Sequence, residues 1–140
     1  MKVMAIDYGD ARTGVAISDP FGMIVGRSEV VQTWNRDKAA AEVARIYKES
    51  GAERLVVGLP RNMDGSEGAR AQACREFAAL LQELTGTEPV MWDERRTTVE
   101  AHNILSTNGK KTKKHRETVD AVAAGLILEG YLRFAERSGS

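Results

Sequence analysis

Apolar and polar positions alternate in short blocks over the first third of the chain. The runs Lys2–Tyr8, Gly14–Asp19 and Ile24–Gln32 read as three strands, with Gly9, Asp10, Pro20 and Gly22 in the turns between them. From Arg36 the period lengthens: Ala40, Val43, Ala44 and Tyr47 form a helical stripe to Ser50, and Gly51 stands where a C-cap belongs. RLVVGLP (Arg54 to Pro60) is a short, wholly apolar strand of the kind found in a parallel interior. Glu67 to Leu84 reads as a helix with Cys74, Phe77, Ala78, Leu81 and Leu84 on one face, and Val90 to Glu94 as a fifth strand. Thr97 or Thr98 then caps a short helix through Leu105, and Ser106 to Arg116 is a polar loop. The last helix is expected from about Glu117 to Phe134, with Val119, Val122, Ala123, Leu126, Ile127 and Gly130 inward. The order βββαβαβα, with a helical insertion, predicts an α/β fold: a mixed five-stranded sheet, antiparallel then parallel, with helices on its faces.

Composition narrows the class. At 140 residues and 42% hydrophobic, the chain suits one compact domain, expected over residues 1–138, and excludes global disorder. One cysteine excludes an internal disulfide. No apolar window approaches a membrane span and MKVMAIDYG has no signal-peptide core, so a cytoplasmic protein with no membrane partner is expected. The 20 basic and 20 acidic residues cancel. Five of the basic ones stand in KKTKKHR (Lys110, Lys111, Lys113, Lys114, Arg116), which leaves 15 against 20 acids elsewhere, a formal −5. A basic patch on a neutral protein can grip phosphates. Such a run also serves as a plain solvated loop.

Three acids stand out by position. Asp7 ends the first strand, Glu94 ends the last, and Asp120 lies near the start of the last helix among apolar neighbours. Converging carboxylates repel and need cations, and hard oxygen ligands suit Mg²⁺ or Mn²⁺. Two such ions about 3.5–4 Å apart can activate a water and stabilise the leaving oxygen of a phosphodiester. Simpler roles compete: Asp7 can cap a turn, Asp120 can favour the helix dipole, and Glu94 can pair with Arg95 or Arg12. Asp93 and Glu94 point to opposite faces of a regular strand, so one of the two is a ligand and the other a supporting group.

Four segments carry a resemblance: DYGDARTGVAISD (Asp7–Asp19), VGLPRNMDGSEGARA (Val57–Ala71), DERRTTVEA (Asp93–Ala101) and VDAVAAGLILEGYL (Val119–Leu132). Together, in this order, they resemble the YqgF/RuvX family of the ribonuclease H-like superfamily, which includes the RuvC Holliday-junction resolvases. The resemblance implies a ribonuclease H-like nuclease domain and a metal-binding acidic trio at Asp7, Glu94 and Asp120. Asp7 would bridge two ions, with Glu94 on one and Asp120 on the other. It further implies trimming of the 5′ end of precursor 16S ribosomal RNA, or resolution of Holliday junctions. Two departures stand out. Arg96 occupies a position that is usually apolar in the family. Ala123 stands where many relatives in the superfamily have a fourth acid, and Glu117, one turn earlier, is its candidate replacement.

The supporting residues have double readings. Arg12 suits neutralisation of the acids, and Arg95 suits contact with substrate. RNMDGSEGARA (Arg61–Ala71) is a phosphate cradle at a helix N-terminus or a plain loop with Ser66 as N-cap. Cys74 reads as a core thiol, Trp34 and Trp92 as packing groups, His102 as surface or packing, and His115 as part of the basic patch. A metal-dependent nuclease acting on structured RNA or branched DNA, as monomer or homodimer, is therefore expected. A non-catalytic RNA-binding assembly module is its rival. A sugar-kinase-like ATPase is disfavoured, since such enzymes close two domains of this kind around the nucleotide.

Overall fold

The computed structural model describes residues 1–96 and 113–137, with the backbone alone for residues 113–120. The elements are β1 (Val3–Asp7), β2 (Arg12–Ser18), β3 (Val25–Gln32), α1 (Arg36–Ser50), β4 (Arg54–Leu59), α2 (Ala69–Thr85), β5 (Val90–Asp93), a 3-10 turn (Glu94–Arg96) and α3 (Lys113–Arg137). The sheet order is β3-β2-β1-β4-β5. β1 pairs antiparallel with β2 and β2 with β3, whereas β1–β4 and β4–β5 are parallel. This is the mixed five-stranded sheet that the apolar pattern predicts. β1 lies at its centre, as befits a strand whose first four residues are all buried. Among the described residues no helix is long and apolar enough to cross a membrane.

Strand alternation divides the core in two. Met4 and Ile6 of β1, with Tyr8 just past its end, join Leu55, Val57 and Leu59 of β4 beneath α1 and α2, where Tyr8 stacks on Phe77 with ring centroids 4.3 Å apart. Val3 and Ala5 join Val56 and Trp92 against Ala124, Ile127, Leu128, Tyr131 and Leu132 of α3. Each helix thus covers one face of the sheet and removes its apolar side chains from water.

Helix α1 has its expected ends. Asn35 Oδ1 accepts from the Lys38 N–H at 2.9 Å, and Gly51 closes the helix in the left-handed region at φ 76°. Other boundaries differ. Ser66 does not cap α2: Gly68 stands at the N-cap with no side-chain bond, while the Ser66 hydroxyl donates to Asp64 Oδ1 at 2.6 Å. Leu84, placed on the apolar face of α2, is largely exposed. Helix α3 begins at Lys113, so its first turn takes in part of the run read as loop. Its buried stripe is Ala124, Ile127, Leu128, Tyr131 and Leu132. Val122, Ala123, Leu126 and Gly130 are half-buried, a rotation of about one residue. Trp34 is no packing group, being 83% exposed, whereas Trp92 is buried as expected. The short helix read from Thr97 or Thr98 to Leu105, and Val119 as an inward side chain, lie outside the described residues.

Candidate active site at the carboxyl edge of the sheet

Asp7 is the last residue of the central strand and pairs with Gly14 across the β1–β2 ladder. On the parallel side Ile6 is level with Val57, so the next step of β1 brings Asp7 level with Gly58. Gly58 is in turn level with Trp92 of β5. Val3, Ala5, Val56 and Trp92 all belong to the α3 face. Alternation therefore puts Asp7 and Gly58 on that face too. Glu94, two residues after Trp92, opens the 3-10 turn, and its carboxylate leans over the glycine: a Cβ added at Gly58 would stand 2.7 Å from Glu94 Oε1 and 2.6 Å from Ile127 Cδ1. A bare glycine in β4, between β1 and β5, thus gives Glu94 the space it occupies, with α3 packed alongside. Asp120 belongs to α3, two turns before Ile127, and its side chain lies outside the described residues.

Asp93 has the opposite fate. It is level with Leu59, whose side chain belongs to the core beneath α1 and α2. Its carboxylate accepts from Arg95 Nε at 3.0 and 3.1 Å, from Arg95 Nη2 at 2.7 Å and from the Arg95 N–H at 3.0 Å, and Arg61 Nη1 lies 3.8 Å away. The Arg95 fork holds this carboxyl below the ordinary aspartate range. Of the adjacent acids, Glu94 shares the α3 face with Asp7, and Asp93 buttresses the turn.

The field of the edge is felt beneath the sheet. Burial pushes the Cys74 thiol up to about 11; Arg70 opposes the rise, while Glu94, Asp7 and Asp10 add to it. Cys74 is buried and a poor nucleophile, as its apolar stripe suggests. Among the described residues, no three His, Cys, Asp or Glu side chains are grouped to hold a metal ion. The pair Asp7 and Glu94 offers hard oxygen donors from the end of β1 and the turn after β5, a donor set that fits Mg²⁺ or Mn²⁺.

The predicted basic residues divide. Arg12 opens β2 at the same edge and is half-buried. Arg95 is committed to Asp93 and also donates to the Met63 carbonyl at 3.4 Å. Lys110 and Lys111 lie outside the described residues, as do His102 and His115 as side chains. Lys113, Lys114 and Arg116 lie in the first turns of α3, and their side chains, with that of Glu117, are outside too. Arg70 is a cation that sequence reading passed over: its Nη2 donates to the Tyr8 carbonyl at 2.8 Å, one residue after Asp7. Its place in the first turn of a helix that follows a strand-end loop is the available signal. The loop from Arg61 to Gly68 is closed by Asn62 N–H to the Ser66 carbonyl and Gly65 N–H to the Asn62 carbonyl, both 2.9 Å. Asp64 and Glu67 in it are held below their ordinary range by Ser66 and by Arg75 respectively, and their charge opposes an anion there.

The RuvX family model, described as "Holliday junction resolvase", matches residues 1–134. A protein of Halothermothrix orenii named "Putative pre-16S rRNA nuclease" is 39% identical over 137 residues, covering 98% of both chains. One of Acetivibrio thermocellus with the same name is 42% identical over 135 residues, covering 94% of this chain and 95% of its own. Among solved structures, Thermus thermophilus RuvC in complex with a Holliday junction substrate aligns over 96% of each chain with a TM-score of 0.63 at 17% identity. Fowlpox virus resolvase, in complex with Holliday junction DNA, aligns over 99% of this chain and 98% of its own, with a TM-score of 0.55 at 10% identity. These likenesses show the fold, which is RuvC-like and ribonuclease H-like.

Proposed function

The chain belongs to the RuvX family, and on that premise we propose that it is a divalent-metal-dependent nuclease that hydrolyses phosphodiester bonds in structured RNA, with the 5′ end of precursor 16S ribosomal RNA as its substrate. The observation that carries the reading is the shared face of Asp7 and Glu94 over the bare backbone of Gly58, beside the helix that bears Asp120. The names of the full-length relatives support the choice of ribosomal RNA.

Asp7, Glu94 and Asp120 would hold Mg²⁺ or Mn²⁺. When bound, such ions supply a hydroxide-like nucleophile at neutral pH and positive charge at the leaving oxygen. The chain's own residues do the positioning. Asp7 ends a strand paired on both sides, so its backbone is held in place and presents the carboxylate at the edge. Glu94 is aimed by the turn that Asp93 and Arg95 clamp. Arg12 and Arg70 place cations at the rim, suited to a phosphate backbone. Lys110, Lys111, Lys113, Lys114 and Arg116 would guide the strand toward the edge, and Arg95 would join them where substrate competes for its fork.

The family description favours a second reading, resolution of Holliday junctions, which calls for symmetric cuts and a dimer. One assay separates these: precursor 16S 5′-leader RNA, single-stranded RNA and a four-way DNA junction, each with Mg²⁺ or Mn²⁺, with wild type and Asp7→Asn in parallel. RNA cleavage that disappears in a folded Asp7→Asn protein is the expected result. Paired symmetric cuts in the junction would move the substrate to DNA. Binding without metal-dependent cleavage would leave an RNA-binding assembly module, with Ala123 the first position to restore as an acid.

A further inference from the structure

A cavity of about 400 Å³ opens on the outer side of β5, between the turn that follows it and the C-terminal half of α3. Its charged lining is Arg96, Arg133 and Arg137 against the single acid Glu129. Two rings complete it. The Arg96 guanidinium carbon lies 5.3 Å from the Trp92 ring centroid and 5.0 Å from that of Phe134, and the rings themselves are 5.7 Å apart. Aromatic faces hold this cation rather than carboxylates: among the described residues none of the three arginines is in an ion pair. A guanidinium held on ring faces keeps its N–H groups for a further acceptor. Trp92 is 5% exposed, and its buried Nε1 has no partner. That nitrogen faces Gly130, another lining residue, where an added Cβ would stand 3.4 Å from it. Phe134 is 46% exposed and offers a free ring edge or face.

We propose that this cavity is a second substrate subsite, which takes a backbone phosphate of a single-stranded nucleic-acid segment outside the bond to be cut, with the adjoining base against Phe134. The proposal rests on the nucleic-acid part of the function proposed above. Placement supports it. Arg96 follows Glu94 by two residues, and Arg137 lies ten residues beyond Ile127 on α3, roughly 15 Å along the helix. A strand leaving the carboxylate edge along β5 therefore meets Arg96 first, then Arg133 and Arg137. Phosphate needs the charge, and a base of any kind can use the ring, so binding without sequence preference is the result.

The chain has two tryptophans, so Trp34→Phe leaves Trp92 as the sole indole reporter. The test titrates a ten-nucleotide single-stranded RNA, a blunt duplex RNA and inorganic phosphate into this protein in EDTA, reading Trp92 emission and anisotropy of labelled RNA. Arg96→Leu and the double variant Arg133→Gln/Arg137→Gln follow in the same background, with cleavage by wild type measured separately. The expected result is a change in Trp92 emission with the single strand. Affinity should fall about tenfold in Arg96→Leu, and the salt slope should shrink by about 0.7 for each phosphate no longer gripped. Should Arg96→Leu fail to fold, the double variant reads the same subsite. Equal RNA affinity in all variants with unmoved Trp92 emission overturns the subsite and leaves a cleaving wild type, and hence the nuclease reading, intact. Displacement of the RNA by inorganic phosphate at equal phosphate concentration also overturns it, in favour of a free-anion site. Arg96-dependent RNA binding by a wild type that cleaves nothing sustains the subsite and removes the nuclease reading.

Discussion

A methyl group added at Gly58 would meet two side-chain ends, Ile127 Cδ1 at 2.6 Å and Glu94 Oε1 at 2.7 Å. Both are far ends of flexible chains, so Gly58→Ala should fold, with a stability loss of roughly 1–3 kcal/mol from overpacking. Glu94 cannot stay where it is. Misplacement of a group by about 1 Å can cost roughly 10²-fold in rate. Gly58→Ala should therefore cut kcat by one to two orders of magnitude while its melting temperature drops by roughly 3–12 °C. Wild-type kcat in a folded Gly58→Ala protein would show that Glu94 does not act from this position. The same residues show what sequence made legible. Asp7 and Glu94 could be singled out because a carboxylate at the end of an apolar run is costly without a partner. The phase of Asp93 and Glu94 was not legible: it depends on β5 remaining regular to Asp93 and on Arg61 and Arg95 waiting on the other face. Trp34 was misread for a related reason. An indole beside a strand looks like core, yet Trp34, just past the end of the edge strand β3, is exposed.

Helix α2 is seated on the sheet by Phe77, Ala78, Leu81 and Cys74, and this seat carries a pH signature. The folded thiol titrates at about 11 against an ordinary value of 9.0, because burial disfavours the thiolate. A group whose folded pKa is raised binds its proton more tightly in the native state. Its stabilisation is full below the unfolded value and is lost as pH rises through the window from about 9 to about 11. Tyr8, stacked on Phe77 and raised chiefly by burial, acts in the same direction at higher pH. Urea midpoints should thus fall between pH 8.5 and pH 10.5, and Cys74→Ala should flatten part of that fall. Parallel slopes in the two proteins would mean that the thiol does not titrate with unfolding. At this scale the sequence was read well where one period persisted, as in α1 and α2. It was read less well in α3, because Lys and Arg are good helix formers yet a run of them looks like a solvated loop. The inward stripe of α3 came out about one residue off because Ala, Gly and Val line both sides of it, which leaves the apolar arc too broad to centre.

Across the whole molecule, charge is balanced in sum but not in place. KKTKKHR holds five of the 20 basic residues, and the remainder of the chain is acidic by five. A uniformly neutral surface would bind RNA weakly and with little salt dependence. A basic segment that precedes Asp120 in the chain instead concentrates positive charge in one stretch, which would attract phosphate if the acids of the proposed site are neutralised by cations. Divalent ions held by the proposed trio would relieve the repulsion that the acids exert on the strand, so metal and substrate would support one another. Replacing Lys110, Lys111, Lys113, Lys114 and Arg116 by Gln should therefore weaken single-stranded RNA binding uniformly across sequences. If all five grip phosphates, the slope of log affinity against log salt should shrink by about 3.5, at roughly 0.7 for each phosphate. The same variant should keep its rate at saturating RNA, because none of the five is one of the carboxylates proposed to hold the metal. An unchanged salt slope would reduce the run to a solvated loop. A changed slope with an equal loss of kcat at saturation would mean that the segment acts on the bond being cut rather than on capture of the strand.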